Sequence, residues 1–266
     1  MKQENLIHAN YHTHTVRCHH AEGSEREYVE EAIKAGLTTL GFADHTSYIF
    51  HTEGYYSSFR MRPEELEGYV QVLRALQEEY KDRISILIGL EAEHYPALWQ
   101  DYCKLIKNSG VQYLIMGQHF AAGEPGGKYS GRADDDEERL KSYVDSVIGG
   151  AQTGLFSYVA HPDIINFTGD HDLYLAEMER LVQGVVKEGL PLELNILGLR
   201  EGRSYPREDF LELVGKHHGK MIIGSDAHTP EHVYDHETVR RAVVLAEKYG
   251  IELTERIDTT RLQRLL

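Results

Sequence analysis

Ile84-Ser85-Ile86-Leu87-Ile88-Gly89-Leu90-Glu91 is a near-continuous apolar run that stops at a carboxylate. A strand with one wet face alternates apolar and polar residues, whereas a strand covered on both faces does not. The run therefore predicts a strand buried in a parallel sheet, with Glu91 delivered at its end. Working outward, the same unit recurs: a short apolar run, a polar residue at its end, and a longer amphipathic stretch. Such runs lie at 39–43, 84–90, 113–117, 156–160, 191–194 and 221–224. With a first run ending at Tyr11-His12-Thr13-His14 they make seven predicted strands. Helices are predicted over 25–35, 63–80, 97–108, 134–148, 173–187, 206–217 and 238–249. Ser24 with Glu27 forms a capping box, Gly36 is a natural C-cap, and Pro63 suits a first helical position.

Seven βα units in a row imply a parallel sheet, either a closed barrel or an open doubly wound sheet. No G-x-G-x-x-G follows a strand, and Gly126-Gly127-Lys128 lacks the upstream glycine and the Ser/Thr of a phosphate loop. The barrel is favoured, and with it a site at the C-terminal strand ends. The chain has 266 residues, 41% hydrophobic and 27% charged, enough for a sizeable core. Without a repeat or a Pro/Gly/Ser-rich linker, one domain over 1–266 is the simplest reading. Twenty-eight basic against 43 acidic residues give a net charge of −15, which argues against nucleic acid or an anionic membrane as partner. A metal site inverts the local field, so a small phosphorylated substrate stays open. Cys18 and Cys103 are too few for a disulfide framework, residues 1–5 carry no apolar leader, and no run approaches membrane-spanning length. The expectation is a cytoplasmic protein; nothing in the residues sets an oligomeric state.

The 16 histidines are the informative feature. His12 and His14 end the first predicted strand, Asp44-His45 the second, Glu91 the third, His119 the fourth, His161 the fifth, Asn195 the sixth, and Asp226 with His228 the seventh. His12 and His14 stand two apart on a strand and so point the same way, as do Asp226 and His228. Imidazole and carboxylate together suit zinc, iron or manganese. One His-x-His is weak evidence by itself; the whole set at matching strand ends is not. His217 and His218 complement a helix C-terminus. His8, His51, His171, His232 and His236 fall in segments read as exposed. His94, and His19 beside His20, remain open as contributors. No G-x-S-x-G elbow and no H-E-x-x-H occurs, and a Cys18 thiolate beside His19 and His20 is thin support for a nucleophile.

These pieces resemble the polymerase and histidinol phosphatase (PHP) family: Tyr11–Thr15 with His20 downstream, Gly41-Phe42-Ala43-Asp44-His45, Gly89-Leu90-Glu91, Gly117-Gln118-His119, Ala160-His161-Pro162 and Gly224-Ser225-Asp226-Ala227-His228. They span residues 11–228 in order, and Cys18, His20 and the segment 193–200 are similar to the stand-alone histidinol-phosphate phosphatase branch. The resemblance implies an α/β fold, a distorted seven-stranded (β/α)7 barrel of TIM-barrel type. It also implies three divalent transition metals. His12, His14, Glu91 and Asp226 would hold one; Glu91 would bridge to a second on His119 and His161; His20, His45 and His228 would hold the third. The implied reaction is hydrolysis of L-histidinol phosphate, a step of histidine biosynthesis, by attack of a metal-bridging hydroxide. Glu91, Asp226 and Arg200 are the expected catalytic residues. Arg200 is the first candidate for a phosphate clamp and Arg17 the second, because a guanidinium fork matches phosphate oxygens. Asp163 and Glu93 are candidates for the cationic end of histidinol, and Asn195 completes the expected substrate contacts.

Three rival readings stay open. A PHP phosphoesterase on a phosphotyrosyl peptide, nucleotide or sugar phosphate would share the metal ligands, since specificity lies in loops. A metal-dependent amidohydrolase also uses His-x-His on strand one and a late aspartate. It usually bridges its metals with a modified lysine, where this chain offers Glu91. A non-catalytic metal-binding barrel is disfavoured because no ligand position is lost.

Overall fold

The computed structural model describes residues 5–121 and 123–265. Residues 1–4, read above for a leader, Ala122 in the glycine-rich segment and Leu266 lie outside them. Eight parallel strands form one sheet in sequence order: β1 (Ala9–Asn10), β2 (Thr39–His45), β3 (Ser85–Ala92), β4 (Tyr113–Met116), β5 (Tyr158–Val159), β6 (Leu192–Asn195), β7 (Lys220–Gly224) and β8 (Glu252–Leu253). Among the described residues eight helices lie between the strands, with α6 and α7 both between β6 and β7: α1 (Glu25–Ala35), α2 (Leu66–Tyr80), α3 (Pro96–Ile106), α4 (Glu137–Gln152), α5 (His171–Lys187), α6 (Ile196–Glu201), α7 (Glu208–Lys216) and α8 (His236–Lys248). None of the described helices is long and apolar enough to cross a membrane.

The sheet curls back on itself at its C-terminal edge. Thr13, just past β1, bridges in parallel to Ala227, just past β7. His14 N–H donates to Ala227 O at 2.9 Å, and Ala227 N–H to His12 O at 3.2 Å. At the opposite edge the chain after β8 lies beside both strands. Thr254 N–H donates to Met221 O at 2.8 Å, and the Tyr11 hydroxyl to Glu255 O at 2.9 Å. The eighth strand corrects the expected count of seven. It is two residues long, too short to give a periodic signal.

The barrel interior is filled by Tyr11, Ala43, Tyr113, Ile115, Tyr158 and Ile222. Tyr113 lies across Gly41 and Gly89, where an added Cβ would come within 2.3 Å of its ring or hydroxyl. Its hydroxyl donates to Tyr11 O (2.7 Å) and Phe42 O (3.0 Å), which ties β4 to β1 and β2. The outer layer follows helical periodicity: α2 buries Leu66, Tyr69, Val70, Leu73, Leu76 and Tyr80 against the sheet. α1 carries the Ser24–Glu27 capping box and ends on Gly36 in the left-handed conformation, as its sequence predicts. The predicted helix at 63–80 starts instead with a 3-10 turn, Pro63–Glu65. α4 begins at 137, because the Asp136 side chain caps Glu138 and Arg139 N–H. The unpredicted α6 is six residues capped by Asn195, whose side chain accepts from Gly198 N–H at 2.8 Å.

Candidate metal centre

The parallel strands β1 to β7 end at the same edge, so the side chains at or just past their ends meet there. β2 and β3 pair in register with His45 beside Glu91. Glu91 is 1% exposed and central. Its Oε1 lies 2.8 Å from His161 Nε2 and 3.4 Å from His119 Nε2. Its Oε2 lies 2.9 Å from His45 Nδ1, 3.6 Å from His12 Nε2 and 3.7 Å from His14 Nε2. Asp226 Oδ1 stands 3.1 Å from His14 Nε2, 3.5 Å from His228 Nδ1 and 3.7 Å from His12 Nε2. His20 and His228 face each other, Nε2 to Nε2, at 3.0 Å. His161 and Asp226 both adopt positive φ, 27° and 49°, a conformation that non-glycine residues seldom hold without a compensating role.

The other ring nitrogens are tied from behind. His12 Nδ1 meets Glu193 Oε1 at 2.8 Å, and His119 Nδ1 meets Glu93 Oε1 at 2.9 Å. His14 Nδ1 meets Asp44 Oδ1 at 3.4 Å, and His20 Nδ1 meets Cys18 O at 2.7 Å. Such partners fix tautomer and ring orientation and leave Nε2 as the free lone pair, the usual support of a metal-ligating histidine. Both oxygens of Glu91, His12 Nε2 and His45 Nδ1 are buried, and none makes a hydrogen bond of good angle, even where Glu91 approaches His161 and His45 to 2.8 and 2.9 Å. Unpaired buried polar atoms are costly, so four of them turned toward one another fit a bound cation. Donor atoms gather within 4.8 Å in sets that include His12/His14/Asp226, His12/Glu91/His161, His14/His45/His228 and Cys18/His20/His228. The donor set fits transition metals.

The electrostatics agree. Burial would raise the Glu91 carboxyl pKa, but His119, His45 and His12 outweigh it and hold the group well below the usual carboxylate range. Burial is likewise outweighed at His12, where Glu193, Asp226 and Glu91 raise the pKa to about 10. Burial and repulsion by His14 push His228 down to about 3, which keeps its lone pair free. Metal cations bound in this cluster would take the place of the protons that otherwise balance the carboxylates.

Two glycines make room for the carboxylates. A Cβ at Gly117 would fall 1.9 Å from Glu91 Oε1, and one at Gly224 would fall 1.8 Å from Glu193 Oε1.

A cavity of about 600 Å³ opens on the cluster. His20, His45, His119, His161, Asp226 and His228 line it, with Phe59, Phe120, Tyr129 and Tyr205 as aromatic wall and Arg200, Glu201 and Arg203 as charged groups. Arg200 Nη1 and Nη2 are buried without hydrogen-bond partners, and Glu201 Oε1 is 3.8 Å from Nη2. Arg203 is engaged, with Nε donating to Glu201 Oε2 (2.8 Å) and Nη1 to the Tyr205 hydroxyl (3.1 Å).

Thus the nine expected ligands His12, His14, His20, His45, Glu91, His119, His161, Asp226 and His228 come together, with Arg200 at the same cavity. The other expected substrate contacts do not reach it. Arg17 pairs with Glu25 and lies over the Tyr69 ring at 5.8 Å. Glu93 is sealed in a bidentate pair with Arg60 (2.6 and 2.7 Å). Asp163 is 1% exposed and accepts from Arg207 N–H at 2.6 Å. Asn195 Nδ2 donates to Glu193 Oε2 (2.8 Å) and Asp226 Oδ2 (3.1 Å), so it orients carboxylates. His19 ends a 3-10 turn, exposed, and His94 packs on Trp99; neither lines the cavity. His232, read as lying in an exposed segment, does line it.

Sequence reasoning missed Glu193, Arg203 and the role of Glu93. Glu193 had a signal: a charge between Leu192 and Leu194, two residues before Asn195, belongs on the same face of a buried strand.

The sequence model of the PHP domain matches residues 10–196. A protein of Deinococcus radiodurans named "Probable histidinol-phosphatase" is 30% identical over 228 residues, covering 84% of this chain and 86% of that one. In fold, the chain is similar to the histidinol phosphate phosphatase of Lactococcus lactis, solved with zinc, L-histidinol and phosphate. The TM-score is 0.74 at 21% identity, over 95% of this chain and 99% of that one. It is also similar to the HisK protein of Listeria monocytogenes, with a TM-score of 0.66 at 16% identity over 87% and 99% of the two chains. Because the model match runs from β1 into α6 and the Deinococcus relative aligns over most of both chains, the chain belongs to the PHP domain family.

Proposed function

We propose that this chain is a metal-dependent phosphomonoesterase that hydrolyses L-histidinol phosphate to L-histidinol and inorganic phosphate. One observation carries the reading: both Glu91 oxygens are buried and unpartnered among imidazoles, and an unpartnered guanidinium, Arg200, borders the same cavity. A cation cluster beside a free guanidinium suits a phosphate dianion. The names of the Deinococcus and Lactococcus proteins support histidinol phosphate as the substrate.

His12, His14, Glu91 and Asp226 would hold one metal, Glu91, His119 and His161 a second, and His20, His45 and His228 a third; zinc, iron and manganese all suit these donors. When bound, such ions neutralise the phosphate and make hydroxide available near neutral pH. The chain's own residues do the rest. Arg200 donates two N–H groups to phosphate oxygens and fixes their direction. Glu193, Glu93 and Asp44 hold the rings of His12, His119 and His14 in place. Phe59, Phe120, Tyr129 and Tyr205 exclude water from the cavity and give the imidazole of histidinol flat surfaces. Glu201 is the carboxylate at the cavity outside the ligand set, so the substrate's ammonium is assigned to it in place of Asp163 and Glu93. Among the described residues no lysine lines the cavity, so the modified-lysine bridge usual in an amidohydrolase has no residue to form it there.

Elemental analysis of protein purified without chelator tests this reading, followed by stripping and stepwise reloading with Zn²⁺, Mn²⁺ or Fe²⁺ while phosphate release is followed. About three equivalents per chain and activity that returns with them are expected. Full activity at one equivalent or fewer contradicts the trinuclear assignment.

A further inference from the structure

The loop between β2 and α2 sends one arginine into the protein interior. Arg60 is 1% exposed, and each of its guanidinium nitrogens is used. Nη1 donates to Glu93 Oε2 at 2.7 Å, Nη2 to Glu93 Oε1 at 2.6 Å, and Nε to Glu124 Oε2 at 2.8 Å. Three segments therefore meet on one side chain: the loop before α2, the chain just past β3, and the segment after β4. The same Glu93 Oε1 accepts from His119 Nδ1 at 2.9 Å, and His119 Nε2 faces Glu91. The guanidinium also lies over the ring of Phe59, its neighbour in sequence, at 4.4 Å. Phe59 stands edge-on to His45 (5.4 Å) and borders the cavity.

We infer that Arg60 is a positioning residue with two arms: through Glu93 it sets the His119 imidazole, and through Glu124 it fixes the loop that places Phe59 against the substrate. The inference rests on the metal-site reading above. Without Arg60, Glu93 loses the two contacts that fix its carboxylate plane and turns from His119. That weakens its hold on His119 Nδ1 and loosens the Nε2 ligand. Lysine cannot replace the arginine, because a single ammonium does not span three carboxylate contacts in one plane.

Three variants separate the arms: Arg60→Lys, Glu93→Gln and Glu124→Gln. Each is stripped, reloaded with Zn²⁺ and titrated against a chromogenic chelator, beside steady-state kinetics on L-histidinol phosphate and hydrogen exchange of residues 46–65. Glu93→Gln is expected to weaken one metal equivalent by about 10- to 100-fold and leave the others in place, as loss of a carboxylate behind a ligating histidine does elsewhere. Glu124→Gln is expected to keep every equivalent, raise KM with kcat unchanged, and speed exchange in 46–65. Arg60→Lys is expected to show both effects. If it does not fold, the two isosteric variants carry the test. A folded Glu93→Gln protein with parental zinc affinity at every equivalent overturns the first arm. Parental KM and parental exchange in Glu124→Gln overturn the second. Unmodified protein that binds no zinc and releases no phosphate refutes the proposed function instead, which keeps the two failures apart.

Discussion

Gly117→Ala is a one-methyl change with opposite consequences under two readings. Gly117 is not in the left-handed region, so alanine suits its backbone. If the glycine were an accident of a loop, the substitution would stabilise the fold by about 0.4–1 kcal/mol through reduced chain entropy. The geometry says otherwise. The new Cβ would lie 1.9 Å from Glu91 Oε1, 2.6 Å from its Cδ and 2.9 Å from its Cγ. Relief requires the carboxylate to retreat by about 1.5 Å, to an ordinary separation near 3.5 Å. Glu91 is enclosed by His12, His45, His119 and His161, so that retreat breaks the arrangement of donors. A misplacement of about 1 Å at a reacting centre costs about 10²-fold. The expected loss in kcat/KM is therefore at least about 10²-fold, or about 2.7 kcal/mol, with metal content reduced by one equivalent or more. Elemental analysis and phosphate release are the assays, and far-ultraviolet circular dichroism checks the fold. A folded Gly117→Ala enzyme with full metal content and parental kcat/KM refutes the reasoning, because Glu91 would then not be held where the argument requires.

Two further predictions concern the cavity and its surroundings. Arg200→Ala should lower kcat/KM for histidinol phosphate and for a generic aryl phosphate alike by about 10²-fold, whereas Glu201→Gln should lower only the first; equal losses in both esters for Glu201→Gln would remove it from specificity. Burial raises the Asp163 pKa from 3.8 to about 7, so the folded state holds this proton more tightly than the unfolded chain does. The associated stability is full below about pH 4 and is lost as pH rises to about 7, at a cost of up to about 4 kcal/mol. In chelator, Asp163→Asn should therefore gain in urea midpoint over the parent at pH 8 but not at pH 4, and its preference between the two esters should not change; an equal difference at both pH values contradicts the burial argument.

Much of this site is legible in the residues because its chemistry has few alternatives. Eight His, Asp and Glu side chains at strand ends, with His20 in the segment after the first, have no good structural role there, and the order of apolar runs tells where the ends are. The orienting groups are harder to read. Glu93 looks like any carboxylate near a strand end, and the pattern around Glu193 gives its face but not its task; the paired rings at 2.9 and 2.8 Å reveal what each does. Asp163 beside the His161 motif reads as a substrate contact, yet the turn after β5 aims it at Arg207 N–H, beneath the surface. Arg60 carries no local signal at all, because its partners Glu93 and Glu124 lie 33 and 64 residues away. Among the elements, α1 is readable from a capping box and a glycine. α6 and β8, with six and two residues, offer less than the two turns or four residues that periodicity needs.

Substrate choice is the claim on which the account depends most, and competition kinetics test it directly. The metal-loaded protein is offered L-histidinol phosphate, a nucleoside monophosphate and a phosphotyrosyl peptide, and kcat/KM is measured for each. The account predicts that histidinol phosphate exceeds both others by at least about 10-fold, since a charge-assisted hydrogen bond from the ammonium to Glu201 is worth about one tenfold step. A preference for the nucleotide or the peptide would contradict the assignment of the cavity to a small cationic phosphate monoester.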